Sequence, residues 1–323
     1  MKRGLLVARA LALALKLLPG VLALGSVQAA LPTDQVDGRL GVAVMLNGQE
    51  ELSAAHLPDE SFALMSVMKF PLALTVLHRV EQGELRLEQK LTLEASRLDP
   101  DTWSPMLRKF PKGGTFTIAE LLRFCVAESD NNACDILFSL VGGAPAIRAF
   151  LEEHSEAGQG ITIVCSEEAF RDRRMMRANH ATPRAICRLL RELHLAAFAP
   201  QPPSHPLLER ETARWLWDIM ASSTTGSDCL RAGLPPEARL AHKTGSSGSE
   251  NGVTLALNDA GIILLPDGRF ACVAAFVGDS RDSREKMAAA LAEVARECVS
   301  LLLHSEPPHV SGESVTSGTA PRR

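Results

Sequence analysis

The sequence predicts an α/β protein of the α+β kind: an antiparallel sheet built from both chain ends, flanked by helices, with an all-helical subdomain inserted. Three observations predict it. β-rich runs fall near the start (residues 40–56) and near the end (239–279), while the span between them reads mostly as helix. With 323 residues, the chain can form one large domain or two interleaved ones around a substantial core. A helical insertion returning to a sheet also leaves a cleft between the two parts, where a ligand site is expected. The expected division is 1–29 as an export signal, 30–62 with 221–305 as the α/β part, 63–220 as the helical part, and 306–323 as a disordered tail.

Each element has its own signal. Met1-Lys2-Arg3 gives a positive start, Leu17 to Leu24 is apolar around Pro19-Gly20, and Val27-Gln28-Ala29 fits a small-x-small cleavage pattern cut after Ala29. The alternative is an N-terminal amphipathic helix of the mature domain. Leu40 to Leu46 is β-rich, and Asn47-Gly48 signals a type I′ hairpin turn. Thr117-Ile118-Ala119-Glu120 is a capping box opening a helix that runs to about Glu128, and Gly142-Gly143 stops the next one. Trp215 and Trp217 share an apolar helix, where core packing suits at least one of them. Strands are expected over Arg239–Gly245, over Val253–Leu265 with a break near Asn258-Asp259, and over Arg269–Val277 after a turn at Pro266-Asp267-Gly268. Residues 283–303 read as a terminal amphipathic helix, followed from Pro307 by a Ser/Gly/Pro-rich tail.

Composition narrows the function. A net charge of −4 with scattered Lys and Arg gives no electrostatic reason to expect a nucleic-acid partner. No stretch beyond the leader is apolar enough to cross a membrane, so a periplasmic or secreted protein is expected, free of the membrane once mature. The seven cysteines form no CxxC pair and no Cys/His cluster. Most are therefore expected as small buried hydrophobes, with no metal and no cofactor. Nothing in the sequence indicates an oligomer, and a monomer is expected.

Three short motifs carry chemistry. In Ser66-Val67-Met68-Lys69, a helical turn places Lys69 beside the Ser66 hydroxyl. Lys69 could take the hydroxyl proton if its own pKa is lowered, and free N–H groups at a helix start would face a developing oxyanion. A chain this long holds roughly one SxxK by chance. Ser129-Asp130-Asn131 falls between two helices, where a hydroxyl and an amide can enter a cleft. Ordinary capping by Asn131 or Asn132 is the competing explanation. Lys243-Thr244-Gly245 continues the apolar strand Leu240-Ala241-His242, where Lys243 needs a reason and Gly245 would let a ligand approach the backbone. An edge-strand lysine that discourages aggregation is the alternative. All three motifs in this order arise by chance on the order of once in a thousand chains.

With these residues in view, the sequence resembles a class A serine β-lactamase of the extended-spectrum subgroup containing the VEB, PER and CfxA enzymes. The resemblance runs from about Leu40 to the terminal helix. It includes Lys69-Phe70-Pro71, Thr102-Trp103-Ser104-Pro105, Glu128-Ser129-Asp130-Asn131, Cys134-Asp135-Ile136-Leu137, Thr224-Thr225-Gly226-Ser227 and Ala241-His242-Lys243-Thr244-Gly245. The resemblance implies a β-lactamase/DD-peptidase-like fold and hydrolysis of a β-lactam, a small-molecule substrate, through a serine acyl-enzyme. Ser66 would be the nucleophile and Lys69 part of the proton network, with Ser129 relaying a proton to the leaving nitrogen. Asn131 would hold the substrate amide. Lys243 and Thr244 would bind its carboxylate, and the N–H groups of Ser66 and Ser246 would form the oxyanion hole. Trp103 would line the cleft entrance, with core packing as its alternative.

Hydrolysis also needs a carboxylate that activates water. The candidates lie in Cys165-Ser166-Glu167-Glu168-Ala169-Phe170, ahead of Asn179-His180-Ala181-Thr182-Pro183. Matching Phe170 to the subgroup's apolar position makes Glu167 the base, with Glu168 the runner-up. The loop is one residue shorter than usual and contains Arg171, Arg173 and Arg174. Three further departures stand out. Only about ten residues separate Ala29 from the first strand, where relatives have a long helix. No Arg or Lys lies between Thr244 and Asn258, where many relatives place a carboxylate-binding arginine. His180 stands where an aromatic residue is common. The rivals are a DD-peptidase and a non-hydrolysing β-lactam sensor. The absence of Tyr excludes AmpC-type enzymes, and dispersed histidines exclude the metallo type.

Overall fold

The computed structural model describes residues 31–201 and 203–306. The expected signal segment 1–29 and, beyond Glu306, the expected tail lie outside the described residues. Residues 31–38 form turns, so no helix lies between Leu31 and the first strand.

The chain runs β1 (Arg39–Leu46), β2 (Ala54–His56), β3 (Phe62–Ala63), α1 (Lys69–Glu81), β4 (Lys90–Glu94), α2 (Pro105–Lys109), β5 (Gly113–Thr117), α3 (Ile118–Ala127), α4 (Asn131–Leu140) and α5 (Gly143–His154). It continues through β6 (Ile161–Thr162), β7 (His180–Ala181), α6 (Pro183–Phe198), α7 (Arg210–Ala221), β8 (Arg239–Ser246), β9 (Ser249–Glu250), β10 (Val253–Leu264), β11 (Phe270–Ser280) and α8 (Arg284–His304). The main sheet is ordered β2-β1-β11-β10-β8, with β9 added on β10, and every pairing is antiparallel. Its strands come from both chain ends and the helical span lies between them, as expected.

Apolar side chains on both faces of the strands explain two cores. One face, with Val42, Val44, Val273 and Val277, packs on Leu291, Val294 and Leu302 of α8. The other, with Ala43, Met45, Ile262 and Phe276, joins the core that runs through the helices. α6 lies against β1 and β11, and its amphipathic face buries Ile186, Leu189, Leu190 and Leu193. The capping box is present: Thr117 Oγ1 accepts from the Glu120 N–H while Glu120 accepts from the Thr117 N–H. Trp217 is fully buried, and Trp215 packs on the core from partly exposed ground.

Two local expectations change. β10 is unbroken, because the polar pair in its middle finds partners rather than looping out, although Asn258 Oδ1 stays buried without one. Asn258 Nδ2 donates to the carbonyls of Ala63 and Leu64, and Asp259 accepts from His242 and from the Leu230 N–H. α4 begins at Asn131, and its cap is Asp130 rather than Asn131 or Asn132, with Asp130 Oδ1 accepting from the Ala133 N–H at 2.8 Å.

Candidate active site

The nucleophile turn is built under constraint. Met65 has a left-handed backbone (φ 48°), and a 3-10 turn over Met65–Met68 feeds directly into α1. The Met65 conformation is held from two sides. Asn258 grips the carbonyls of Ala63 and Leu64, and Gly245 of β8 presses against the turn. A Cβ on Gly245 would lie 2.5 Å from the Leu64 carbonyl oxygen. Gly245 was expected to admit a ligand close to the backbone; what approaches it is the protein's own Ser66 turn. Only glycine fits.

Ser66, Lys69 and Glu167 meet at the centre. Ser66 Oγ donates to Glu167 Oε1 at 2.8 Å, and Lys69 Nζ donates to Ser66 Oγ at 2.9 Å. The same ammonium reaches Glu167 Oε1 at 2.9 Å, the Ser129 carbonyl at 2.9 Å and Asn131 Oδ1 at 2.6 Å. Lys69 is fully buried. Burial works against its charge, but the Glu167 carboxylate, with the nearby Cys134 and Cys125 thiols, outweighs burial and holds its pKa above the ordinary lysine range. The condition under which Lys69 could take the Ser66 proton, a lowered pKa, is therefore not met while the paired carboxylate keeps the ammonium protonated. Glu168 instead faces solvent and pairs with Arg171 at 3.8 Å.

Ser129 sits on the far side of Lys69 in a left-handed conformation (φ 57°). Its hydroxyl accepts from Lys243 Nζ at 2.8 Å and lies 3.5 Å from Lys69 Nζ, so it bridges the two lysines. Asp130 pins this corner, its carboxylate accepting from Ser104 Oγ and the Met106 N–H, both at 2.7 Å. Asn131 turns its Nδ2 to Thr102 Oγ1 at 2.8 Å. Lys243 is also fully buried, and burial together with the Lys69 charge pulls its pKa down to about 7. Thr244 Oγ1 meets Thr225 Oγ1 at 2.7 Å.

Many of these groups border one cleft of about 1140 Å³, lined by Ser66, Ser129, Asn131, Glu167, Thr244 and Ser246 among others. Gly245 lies in its floor and Trp103 stands at its rim, half exposed, with its indole N–H on the Glu128 carbonyl and Arg108 stacked 4.1 Å from a ring centroid. Lys243 lies beneath, reaching the cleft through Ser129.

Several supporting residues were visible in the sequence only as members of the segments quoted above, with no role attached to them. Asp135 Oδ1 accepts from the N–H groups of Glu167 and Glu168, at 2.8 and 3.3 Å. Burial and the neighbouring Glu167 charge push the Asp135 carboxyl up to about 6. Asn179 closes the base of the glutamate loop, accepting from the N–H groups of Val164 and Cys165 and donating to the Cys165 carbonyl. His180 Nδ1 meets Ser61 Oγ at 2.8 Å, a polar tie in place of the expected aromatic packing. All seven cysteines are free thiols, six of them buried.

Comparisons agree with this geometry. The sequence profile of the Beta-lactamase enzyme family matches residues 26–302. Beta-lactamase VEB-1 of Pseudomonas aeruginosa is 37% identical over 261 residues, 80% of this chain and 84% of that protein. Extended-spectrum beta-lactamase PER-1 of the same organism is 36% identical over 262 residues, 80% of each chain. Among solved structures, TLA-1 extended-spectrum beta-lactamase superposes with a TM-score of 0.75 at 31% identity, covering 83% of this chain and 94% of that one. A class A beta-lactamase from Bacteroides cellulosilyticus DSM 14838 gives 0.75 at 30% identity, covering 83% and 93%. With its motifs on one cleft and this likeness along most of its length, the chain belongs to the β-lactamase enzyme family, as a class A serine β-lactamase.

Proposed function

We propose that the protein opens and hydrolyses the β-lactam ring of cephalosporins and penicillins through an acyl-enzyme on Ser66, and so confers resistance to them. The mutual contact of Ser66 Oγ, Lys69 Nζ and Glu167 Oε1 carries this reading.

Because Lys69 is already an ammonium, the Ser66 proton passes to the Glu167 carboxylate while Lys69 stabilises the emerging alkoxide. The oxygen attacks the lactam carbonyl, and the N–H groups of Ser66 and Ser246 receive its oxyanion. As the C–N bond breaks, Ser129 gives its proton to the departing nitrogen and is refilled from Lys69, which regains a proton from Glu167. Glu167, again a carboxylate, then draws a proton from water, the hydroxide attacks the acyl carbonyl, and as that carbon–oxygen bond breaks Glu167 returns the proton to the departing Ser66 oxygen. Asn131 holds the substrate amide, Lys243 and Thr244 hold its carboxylate, and Trp103 flanks its rings. A permanently acylated sensor would leave Glu167 without its second task, the activation of water.

By resemblance the preferred substrates are cephalosporins, oxyimino ones included, a reading motivated by Ser246-Ser247 and the long loop. Penicillins exceeding every cephalosporin in kcat/KM would overturn that preference. The same proposal has the protein exported by residues 1–29, working outside the cytoplasm as a monomer, with its parts divided at residues 63 and 221. Among the described residues no single helix is long and apolar enough to cross a membrane.

The test is to follow turnover and protein mass with a chromogenic cephalosporin, beside Glu167→Gln. The wild type is expected to turn over. The variant loses on the order of a thousandfold in kcat, the middle of the range for a general base, and accumulates an acyl adduct. Ring opening persists in it because removing the carboxylate lets burial lower the Lys69 pKa, so the amine can accept the Ser66 proton. A stoichiometric adduct in the wild type, without turnover, would show that the shortened loop has lost its base.

A further inference from the structure

Glu167 stands on a loop without strands or long helices, only two short 3-10 turns over Glu167–Arg171 and Arg173–Arg177. Asn179 closes its base, and Asp135 holds the N–H groups of Glu167 and Glu168 from below. Arginines fasten the rest to acids on different walls. Arg173 pairs with Glu250 of β9, and Arg177 pairs with Asp279 of β11. Arg171, four residues after Glu167, reaches the other way, across the mouth of the cleft.

Its guanidinium meets Asp99 Oδ2, with Nε at 2.9 Å and Nη2 in contact with the same oxygen. Asp99 is a prepared partner. The Asn132 side chain brackets its backbone, accepting from its N–H at 2.8 Å and donating to its carbonyl at 3.0 Å. Asn132 is adjacent to Asn131 in the first turn of α4, so the bridge ties the glutamate loop to the wall that would grip the substrate amide. Burial opposes the Asp99 charge, but the Asp101 N–H and Arg171 hold its carboxyl below the usual range. Both residues line the cleft.

We propose that Arg171 is a positioning residue: its bridge to Asp99 holds Glu167 at the reach required for hydrolysis of the acyl-enzyme, and matters little for ring opening. The inference rests on the role of Glu167 proposed above. In ring opening the buried Lys69 amine can take over the Ser66 proton once Glu167 is drawn away, because burial then lowers its pKa, whereas hydrolysis has Glu167 alone, and a shift of about an ångström in it is enough to slow that step severalfold or more.

The test is stopped-flow and mass measurement of adduct formation and decay in Arg171→Ala, Asp99→Ala and the swap Asp99→Arg/Arg171→Asp, with Glu167→Gln alongside. Each single variant should lengthen the acyl-enzyme lifetime about tenfold and change its formation less than about twofold, and the swap should recover most of the loss. Decay at the wild-type rate in both single variants overturns the proposal. So does an equal fall in formation and decay that the swap leaves unrepaired, which marks general damage to the fold. Wild-type turnover in Glu167→Gln would instead remove the underlying reading of Glu167, whatever the bridge variants do.

Discussion

The two halves of the proposed reaction are housed differently. Lys69, Ser129 and Lys243 are at least nine-tenths buried, on a helix, a pinned corner and the edge strand β8, with Ser66 set among them. Glu167 is equally buried, yet it hangs on a loop held outside by ion pairs whose arginines are 36% to 59% exposed at Arg171, Arg173 and Arg177. Exposed pairs contribute about 0–1 kcal/mol each and weaken with salt. Ring opening is therefore built into the core of the fold, whereas water attack depends on a surface fastening. Deacylation should be the half that sequence change erodes first.

The comparison can be broken most decisively at the fixed wall. Ser66→Gly should lower kcat by at least on the order of ten-thousandfold with the melting temperature almost unchanged, since the groups around it act as a unit. Residual hydrolysis within about a hundredfold of wild type would mean that the buried cluster is not where the reaction starts.

The frame has a weakness of its own on α6, directly after the loop. His194 is buried, its Nδ1 has no hydrogen-bond partner, and it stacks on Phe270 at 3.7 Å. Burial lowers its pKa from 6.5 to about 4. The native state then binds fewer protons than the unfolded chain between those values, so stability is lost as pH falls from 6.5 toward 4. The loss is at most on the order of 3 kcal/mol. Asp135 works in the opposite sense: raised from 3.8 to about 6, it adds stability as pH falls through 6. Thermal melts of His194→Leu against wild type from pH 7 to 4 isolate the histidine. Parallel curves would remove it as the acid-sensitive point of the frame.

The smallest effect concerns how permanent the charges of the fixed wall are. With Lys243 near 7, its ammonium is lost as pH rises through that value. For carboxylate-bearing substrates, kcat/KM should fall by up to about tenfold per pH unit above it, since that ratio reports the free enzyme. Lys243→Arg should flatten the limb by remaining charged. A wild-type profile level to pH 9 would place the carboxylate on another cation.

The sheet drawn from both chain ends, the capping box, the meeting of the three motifs at one cleft and the contact of Glu167 rather than Glu168 with Ser66 were legible in the sequence, because each rests on local pattern or on resemblance. What was not legible depends on distance through space. Asp135 reads as one more polar residue on a helix, and only folding brings it under a loop 32 positions later. Asp99 lies 72 positions from Arg171. The Lys69 charge is set by a carboxylate that motif spacing does not include. Asn258-Asp259 looked like a break because polar residues in a strand are costly unless partnered, and their partners lie in distant segments.

That polar pair also makes the sheet proofread its own assembly. Asn258 stands opposite Gly245 and Asp259 opposite Thr244. A slip of one residue turns every side chain of a strand to the opposite face. Asn258 would then release the carbonyls that shape the Ser66 turn, and His242 would lose its only carboxylate contact, with both polar groups stranded in apolar surroundings. A chain that settles out of register is thereby left without a nucleophile, inert toward its substrate and marked by its instability.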